Sequence, residues 1–362
     1  MPRPTLNDIA RSLGYSKNTI SLALRGSPEI PLVTRERIRR EADRLDYRPN
    51  AVVSHLMAQL RSARKSNLQA KLALVNANLD PAAFQTHPTI PIYVEGCRRR
   101  AASLGYDFDT FWLHDPELTA ERWLRILFAR GIKGLVLVGL MDTNHLPARL
   151  APVWERLPCV VTGVRTRDPA LSYSCVDHYN LALTAFERAR DLGYRRPGLV
   201  IDDVIDALVE RRFSAGYRAA QRQLPRAQQL PVFGGAGGPE AGGAFRAWLG
   251  RHRPDVIFTL YNSVLGWLRA AGRRVPADIG VIQLEWRAAR PDIAGMNQHN
   301  LVAGAAAVDM VVGQIHHNEP GVQEFPRATL IGATWMDGAS VRRPAPAVTG
   351  PGRRPRAAAA RR

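Results

Sequence analysis

Three short amphipathic stretches open the chain, each with one apolar face at helical spacing. In the first, Leu6, Ile9, Ala10 and Leu13 recur at intervals of three and four. Thr5 precedes them as an N-cap, and Asp8 stands three positions on, the spacing of a capping box. Gly14 follows where the chain must turn sharply, since glycine adopts positive φ without penalty. Ser16 is the natural N-cap of a second helix, Lys17 to Arg25. Ile20, Ala23 and Leu24 face inward on it, leaving Lys17, Asn18, Ser21, Leu22 and Arg25 outside. A third helix runs from about Leu32 to Leu45, with Val33, Ile38, Ala42 and Leu45 turned toward the other two. Helix, glycine turn, and helix with a polar leading edge make a helix-turn-helix, whose second helix enters the DNA major groove.

The pattern then changes. Residues 61–71 are polar and basic and read as a linker. From Leu72 short apolar runs alternate with amphipathic helices. The runs are Leu72–Val75, Phe108–Leu113, Gly134–Val138, Cys159–Thr162, Gly198–Ile201, Pro231–Phe233, Val256–Thr259 and Gly280–Ile282. Helices are expected over Val94–Leu104, Glu121–Ala129, Asp177–Leu192, Arg212–Gln223, Ala244–Leu249, the stretch up to Ala271, and Gly304–Ile315. Apolar strands alternating with helices imply parallel sheets covered on both faces. After Arg343 the chain is Pro, Ala and Arg without an apolar pattern, so a disordered tail is expected.

Charge sharpens this division. The 362 residues carry a net charge of +18, which fits a polyanionic partner. Residues 1–65 hold 13 basic and 6 acidic residues, and residues 342–362 hold 7 Arg and no acid. Each end therefore contributes +7, and the 276 residues between them carry only +4. Cys97, Cys159 and Cys175 are isolated, with neither a disulfide framework nor a zinc spacing. No apolar run approaches a membrane span, and the N-terminus has no signal-peptide pattern. A cytoplasmic, nucleoid-associated protein without a membrane partner is expected.

The segments Thr5–Ala10, Leu13–Ser16, Thr19–Ser21 and Tyr47–Asn50, with Leu56, carry a resemblance. They are similar, without a gap, to the DNA-binding headpiece of the lac repressor/galactose repressor family of bacterial transcription regulators. The remainder resembles that family's periplasmic-binding-protein-like core more loosely, to about Val341. The resemblance implies an all-α headpiece with a hinge helix, followed by an α/β core of two Rossmann-like lobes joined by crossing strands. The expected divisions are the headpiece at 1–47, hinge and linker at 48–71, the two-lobed core at 72–343, and the tail at 344–362. It also implies a homodimer that reads near-palindromic operator DNA under the control of a small-molecule effector, with no cofactor.

Lys17 and Asn18 lead the second helix and are the expected base readers. Lys can donate to guanine O6 and N7, and Asn can pair bidentately with adenine. Leu22, one turn on, can touch a thymine methyl where many members carry Arg. Thr5, Ser16, Thr19, Ser21 and Asn50 are placed for phosphates, which set register without reading sequence. The resemblance makes Leu56, with His55 beside it, the minor-groove wedge of the hinge. The hinge has Val53-Ser54 where many members have Ala-Arg.

Ligands of open parallel sheets sit beyond the carboxyl ends of the strands. Those ends supply Asn76, Asn78, Trp112, Asp202, Asn262, Glu285 and Trp286 as effector candidates. Asn262 aligns with the Asn of the family's Ala-Asn-Asp motif, Ser263 replacing its Asp, and Glu285 stands where a sugar-binding Asp is usual. Arg212 is added as the displaced form of the family's second-lobe Arg, whose spacing to Gly216 is held here by Phe213. Amides, carboxylates and aromatic faces suit a sugar-like polyol. Gly234–Gly238 lacks the Lys-Ser/Thr of a phosphate loop, and adjacent His316 and His317 diverge on a helix, so neither is expected to be a site. An enzyme of Rossmann type would need a phosphate-binding glycine motif, and a transport component a signal peptide. A DNA-binding regulator whose core has lost its ligand stays open as an alternative.

Overall fold

A computed structural model describes residues 5–24, 30–45, 47, 70–238 and 240–342. Its contacts divide the chain into two units, Met1–Leu68 and Gln69–Arg362.

The first unit contains α1 (Leu6–Leu13), α2 (Lys17–Leu24) and α3 (Leu32–Arg44). Thr5 donates both its N–H and its hydroxyl to Asp8 Oδ2, at 2.8 and 2.7 Å, which fixes where α1 begins. α1 ends at Gly14, with φ 71° and its N–H bonded to the Ala10 carbonyl. Ser16 Oγ accepts the Thr19 N–H at 3.1 Å and so caps α2. Ile9, Ile20, Ala23, Ile38 and Ala42 form the buried centre, with Leu6, Ala10, Leu13, Leu24 and Leu45 packed around it. Val33 departs from expectation and is 75% exposed. It lies five residues before Ile38, about 140° round the helix from the inward face. The Ser12 hydroxyl donates to Glu41, whose carboxylate also takes Arg44 through two bonds of 2.8 and 2.7 Å. Arg44 first, and Ser12 second, pull the Glu41 carboxyl down to about 2.

The second unit runs in order through β1 (Ala70–Asn76), α4 (Ala83–Thr86), α5 (Ile90–Ser103), β2 (Tyr106–Trp112), α6 (Ala120–Ala129) and β3 (Ile132–Val138). Next come α7 (Ala151–Trp154), β4 (Cys159–Thr162), β5 (Ser172–Val176), α8 (His178–Asp191), β6 (Pro197–Val200), α9 (Asp203–Leu208) and α10 (Arg212–Gln221). It closes with α11 (Ala241–His252), β7 (Val256–Thr259), α12 (Ser263–Ala270), β8 (Gly280–Gln283), β9 (Gly295–Asn297), α13 (Asn300–His317), β10 (Ala328–Ile331) and β11 (Thr334–Met336).

These strands form two sheets. The first has the order β2-β1-β3-β4-β5-β10 and is parallel throughout. The second has the order β6-β7-β8-β9-β11, parallel except for the β9–β11 pair. Leu72, Ala73, Leu74 and Val75 are fully buried, as a strand covered on both faces requires. The chain passes between lobes from β5 to α8, from β9 to α13, and from β10 to β11. α13 thus returns to the first lobe and lies against α5. The contact needs glycine: a Cβ on Gly304 would sit 2.2 Å from the Tyr93 carbonyl oxygen, and one on Gly96 2.0 Å from that of Leu301. Pro231–Phe233, expected as a strand, makes only one parallel bridge, Phe233 to Val200. Pro231 has no N–H with which to lengthen the ladder.

Candidate functional site

In the headpiece, burial of Ile20 and Ala23 sets the rotation of α2. Lys17 and Asn18 are consequently exposed at its leading end, while Ser21 and Leu22 are half-buried. The Ser16 and Thr19 hydroxyls lie 2.8 Å apart, both at the same helix start. The Thr5 hydroxyl proton is committed to Asp8, so a phosphate would have to displace that bond. Bonding to Thr5 also holds the Asp8 carboxyl below its ordinary value. Arg25, Asn50, His55 and Leu56 lie outside the described residues, as does the tail after Arg342.

In the core, a cavity of about 390 Å³ opens between the lobes at the carboxyl ends of both sheets. β1 lies between β2 and β3, so connections leave it to both sides and open a crevice at that end. Thr89 and Tyr93 of the α5 segment, Leu140 and Met141 after β3, and Thr162 to Val164 at the end of β4 line it from the first lobe. Ile205, Leu208, Val209, Phe213, Tyr261, Asn262, Ser263, Glu285, Arg287 and Gln298 line it from the second, and His178 lies at the crossing between lobes.

One knot of polar groups spans the lobes. The Thr89 hydroxyl donates to Glu285 Oε1 at 2.8 Å, and Arg287 Nη2 donates to Glu285 Oε2 at 2.9 Å and to Thr89 Oγ1 at 3.2 Å. Asn300 Nδ2 adds a bond of 3.3 Å to Glu285 Oε1. A neighbouring pair is formed by Gln283, whose amide donates to Asn262 Oδ1. His178 is 5% exposed, and its Nδ1 has no hydrogen-bond partner. Burial first, and the nearby Arg212 cation second, depress its imidazole to about 3. Burial first, and the nearby Asp202 carboxylate second, likewise push the Tyr261 hydroxyl up to about 12.

Of the eight effector candidates read from the sequence, Asn262 and Glu285 line the cavity. The other six do not. Asn76 donates to the Asp80 and Pro81 carbonyls, Asn78 to the Gly139 carbonyl, and Trp112 Nε1 to the Asn78 carbonyl. These three hold the loop after β1 in shape. Asp202 caps α9 through the Val204 N–H at 2.6 Å. Arg212 turns away, bonding the Val209 carbonyl at 2.9 Å and Cys175 Sγ at 3.5 Å, while its neighbour Phe213 faces the cavity. Trp286 keeps its indole N–H buried without a partner, outside the cavity wall. Sequence reasoning missed Thr89, His178, Tyr261 and Arg287. A signal existed for Thr89, which precedes Ile90-Pro91, a helix-start pattern.

Residues 5–50 match the family model described as bacterial regulatory proteins, lacI family, and residues 186–341 match a periplasmic binding protein-like domain. The HTH-type transcriptional regulator CelR of Thermobifida fusca is 26% identical over 329 residues, covering 86% of this chain and 92% of its own. Catabolite control protein A of Streptococcus mutans serotype c is 22% identical over 345 residues, covering 87% and 92%. This chain belongs to the lacI family of bacterial regulatory proteins. As such it is a DNA-binding transcription regulator with a periplasmic-binding-protein-like core. Solved structures repeat the architecture. A complex described as transcriptional regulator CelR with cellobiose superimposes with TM-score 0.58 at 23% identity, covering 93% of this chain and all of that one. A lac repressor dimer bound to operator and an anti-inducer gives TM-score 0.56 at 17% identity, covering 94% and 100%.

Other features of this lacI-family chain find structural explanations. The glycines of 234–238 make room for carboxylates: a Cβ on Gly237 would lie 1.6 Å from Asp202 Oδ2, and one on Gly234 2.5 Å from Asp203 Oδ2. Such a loop wraps acidic side chains, the opposite of a phosphate cradle. Among the described residues no cluster of metal-ligating side chains occurs, and no helix is long and apolar enough to cross a membrane.

Proposed function

We propose that two copies of the chain pair through their cores and present two headpieces to the halves of a near-palindromic operator, acting in the cytoplasm as a repressor. Lys17, Asn18 and Leu22 read base edges, while Thr5, Ser16, Thr19, Ser21 and Asn50 meet phosphates. Leu56, with His55, enters the minor groove at the centre of the site. A sugar-like polyol binds in the cleft, shifts the lobe arrangement, and so changes the spacing of the hinges.

The observation that carries this reading is the knot of Thr89, Glu285 and Arg287. Its members come from both lobes, so a ligand that engages them interacts differently with open and closed arrangements. Only such a difference shifts an equilibrium between states. Asn262, Ser263 and Gln298 add amides and a hydroxyl to the same wall. The complex of the related regulator with cellobiose supports a carbohydrate class, and the operator-bound lac repressor dimer supports the assembly. Selection of bound sites from random DNA with the intact chain, followed by a saccharide screen against the selected operator, tests the reading. A two-fold symmetric motif, released or tightened by at least one saccharide, is expected. A symmetric motif that no compound affects would leave a regulator with a ligand-free core.

A further inference from the structure

The end of the second lobe that points away from the cleft is crowded with arginine. The cleft lies at the carboxyl ends of the strands, so the segments leading into β6, β7 and β8 meet at the opposite end, together with the turn after α10. Arg196 ties them together. Its guanidinium donates to the carbonyls of Ala227 and His252, both at 2.7 Å, and of Arg253 at 3.1 Å. Residues 191–196, 222–229, 250–255 and 271–279 hold 8 Arg against Asp191, Asp255 and Asp278. That excess of +5 is larger than the +4 of the whole stretch between the two basic ends of the chain. The three carboxylates are occupied. Asp255 accepts the backbone N–H groups of Arg195 and Arg196 at 2.7 and 2.8 Å. Asp278 takes the Arg274 guanidinium through bonds of 3.0 and 3.1 Å, and Asp191 lies 3.9 Å from Arg188. Arg195, Arg222, Arg226, Arg251, Arg253 and Arg273 are exposed, and their guanidinium groups make neither a hydrogen bond nor an ion pair among the described residues. Burial first, then the Arg251 and Arg196 cations, hold the His252 imidazole at this end below its ordinary value. Arg342 arrives here too, donating its N–H to Tyr194 Oη at 2.9 Å with its guanidinium 4.6 Å from the Tyr194 ring centre. Residues 343–362 then add 6 Arg and no acid.

We propose that this pole, with the arginine-rich terminus rooted in it, is a second DNA-binding surface, which holds a duplex by its phosphates and reads no sequence. Guanidinium groups pair bidentately with phosphate. Single-stranded nucleic acid is held largely by stacking on aromatic side chains, and a membrane surface by apolar anchors. These segments expose neither. Tyr194 is 2% and Trp248 9% exposed, and the exposed large apolar side chains among the described residues all lie elsewhere. Positive charge without stacking or anchoring groups fits the backbone of a duplex. The surface is also separate from the point where the headpiece is tethered. Ala70, where the linker enters, begins β1 at the amino end of the first lobe, and the cleft lies between the amino ends of the two lobes. A duplex held by the second lobe is therefore additional to the operator, and a regulator seated on its operator can bridge to a neighbouring segment of DNA.

The test uses the intact chain, a short labelled duplex of unrelated sequence, and a selected operator duplex held on beads. Protein loaded on the operator should capture the labelled duplex. Capture should fall roughly a hundredfold or more between about 50 and 200 mM salt, as counterion release from four or more phosphates requires. Arg222→Gln, Arg226→Gln, Arg251→Gln and Arg273→Gln, combined, remove guanidinium groups that bond to nothing among the described residues. The combined variant should capture about tenfold less, with a salt slope lower by about one for each charge removed. The pairs at 222 and 226 and at 251 and 273, made separately, decide the question if the combination fails to fold. Removal of residues 343–362 should weaken capture further. Capture by the combined variant equal to wild type, or capture lost only with the terminus, would overturn the folded pole as the surface. Stronger capture of a single-stranded RNA than of the duplex would overturn DNA as its partner. Failure to select an operator would sink the headpiece reading alone, because anisotropy titrations of the labelled duplex still compare wild type with variant.

Discussion

The Thr89 hydroxyl donates to Glu285 Oε1 at 2.8 Å and accepts from Arg287 Nη2 at 3.2 Å, joining two residues 196 positions apart and on different lobes. The single proton of that hydroxyl is thereby committed within the protein. A ligand oxygen that takes this proton, or a ligand hydroxyl that displaces Thr89 from Glu285, competes with a bond between the lobes and so couples occupancy to their arrangement.

Thr89→Val keeps the shape and removes both bonds. A hydrogen bond to a charged group contributes about 1.5–3 kcal/mol, enough to move a lobe equilibrium by an order of magnitude. The ligand-free variant should show a larger radius of gyration by small-angle X-ray scattering. Scattering curves identical to wild type would mean that the bond does not hold the cleft.

His178 is neutral in the folded core because burial depresses its imidazole to about 3, from 6.5. Depression of the folded value means that the associated stability is present above pH 6.5 and is lost as the pH falls toward 3. Within that window the unfolded chain binds one more proton, a slope of about 1.4 kcal/mol per pH unit. Denaturant midpoints of the core should fall between pH 7 and pH 5, and His178→Leu should flatten that fall. An equal fall in both proteins would show that His178 is not the group responsible.

Lys17 and Asn18 are exposed while the next turn of α2 is anchored by Ile20. Asn18→Ala and Lys17→Ala should each relax one position per half-site, at a cost of about 1–3 kcal/mol. Specificity profiles selected in vitro are the readout, and an unchanged profile for either variant removes that residue from base reading.

Leu56 belongs to the hinge segment, where insertion between base steps would bury it and kink the duplex. Leu56→Ala should reduce DNA bending and weaken specific binding far more than non-specific binding. Bend-sensitive electrophoresis compares the two proteins; equal bending would return Leu56 to ordinary packing.

The headpiece was legible because its determinants are local. Thr5 with Asp8, Gly14, and Ser16 with Thr19 each act within three or four residues, and the apolar spacing sets which faces pack. Val33 was misplaced because a β-branched apolar residue reads as core wherever it falls, whereas the helix rotation is set by Ile38 and Ala42. Most strands of the core were legible as buried runs, while β5 (Ser172–Val176) is interrupted by two serines, β10 (Ala328–Ile331) is not fully buried, and α9, β9 and β11 are too short to show a period.

Sequence alone therefore determined the class of partner and the order of elements: a basic helix-turn-helix, then an alternating α/β core with parallel strands. Tertiary structure decided the chemistry of the cleft. Strand-end position nominated Asn76, Asn78 and Trp112, but their amide and indole groups found nearer partners in the chain's own turns. One helical step decided that Phe213 rather than Arg212 faces the cavity. Thr89 reached Glu285 only because α13 returns to the first lobe and brings the carboxyl ends of the two sheets together. Local spacing encodes caps and faces, whereas a site assembled from loops of two lobes depends on crossings that no window of sequence contains.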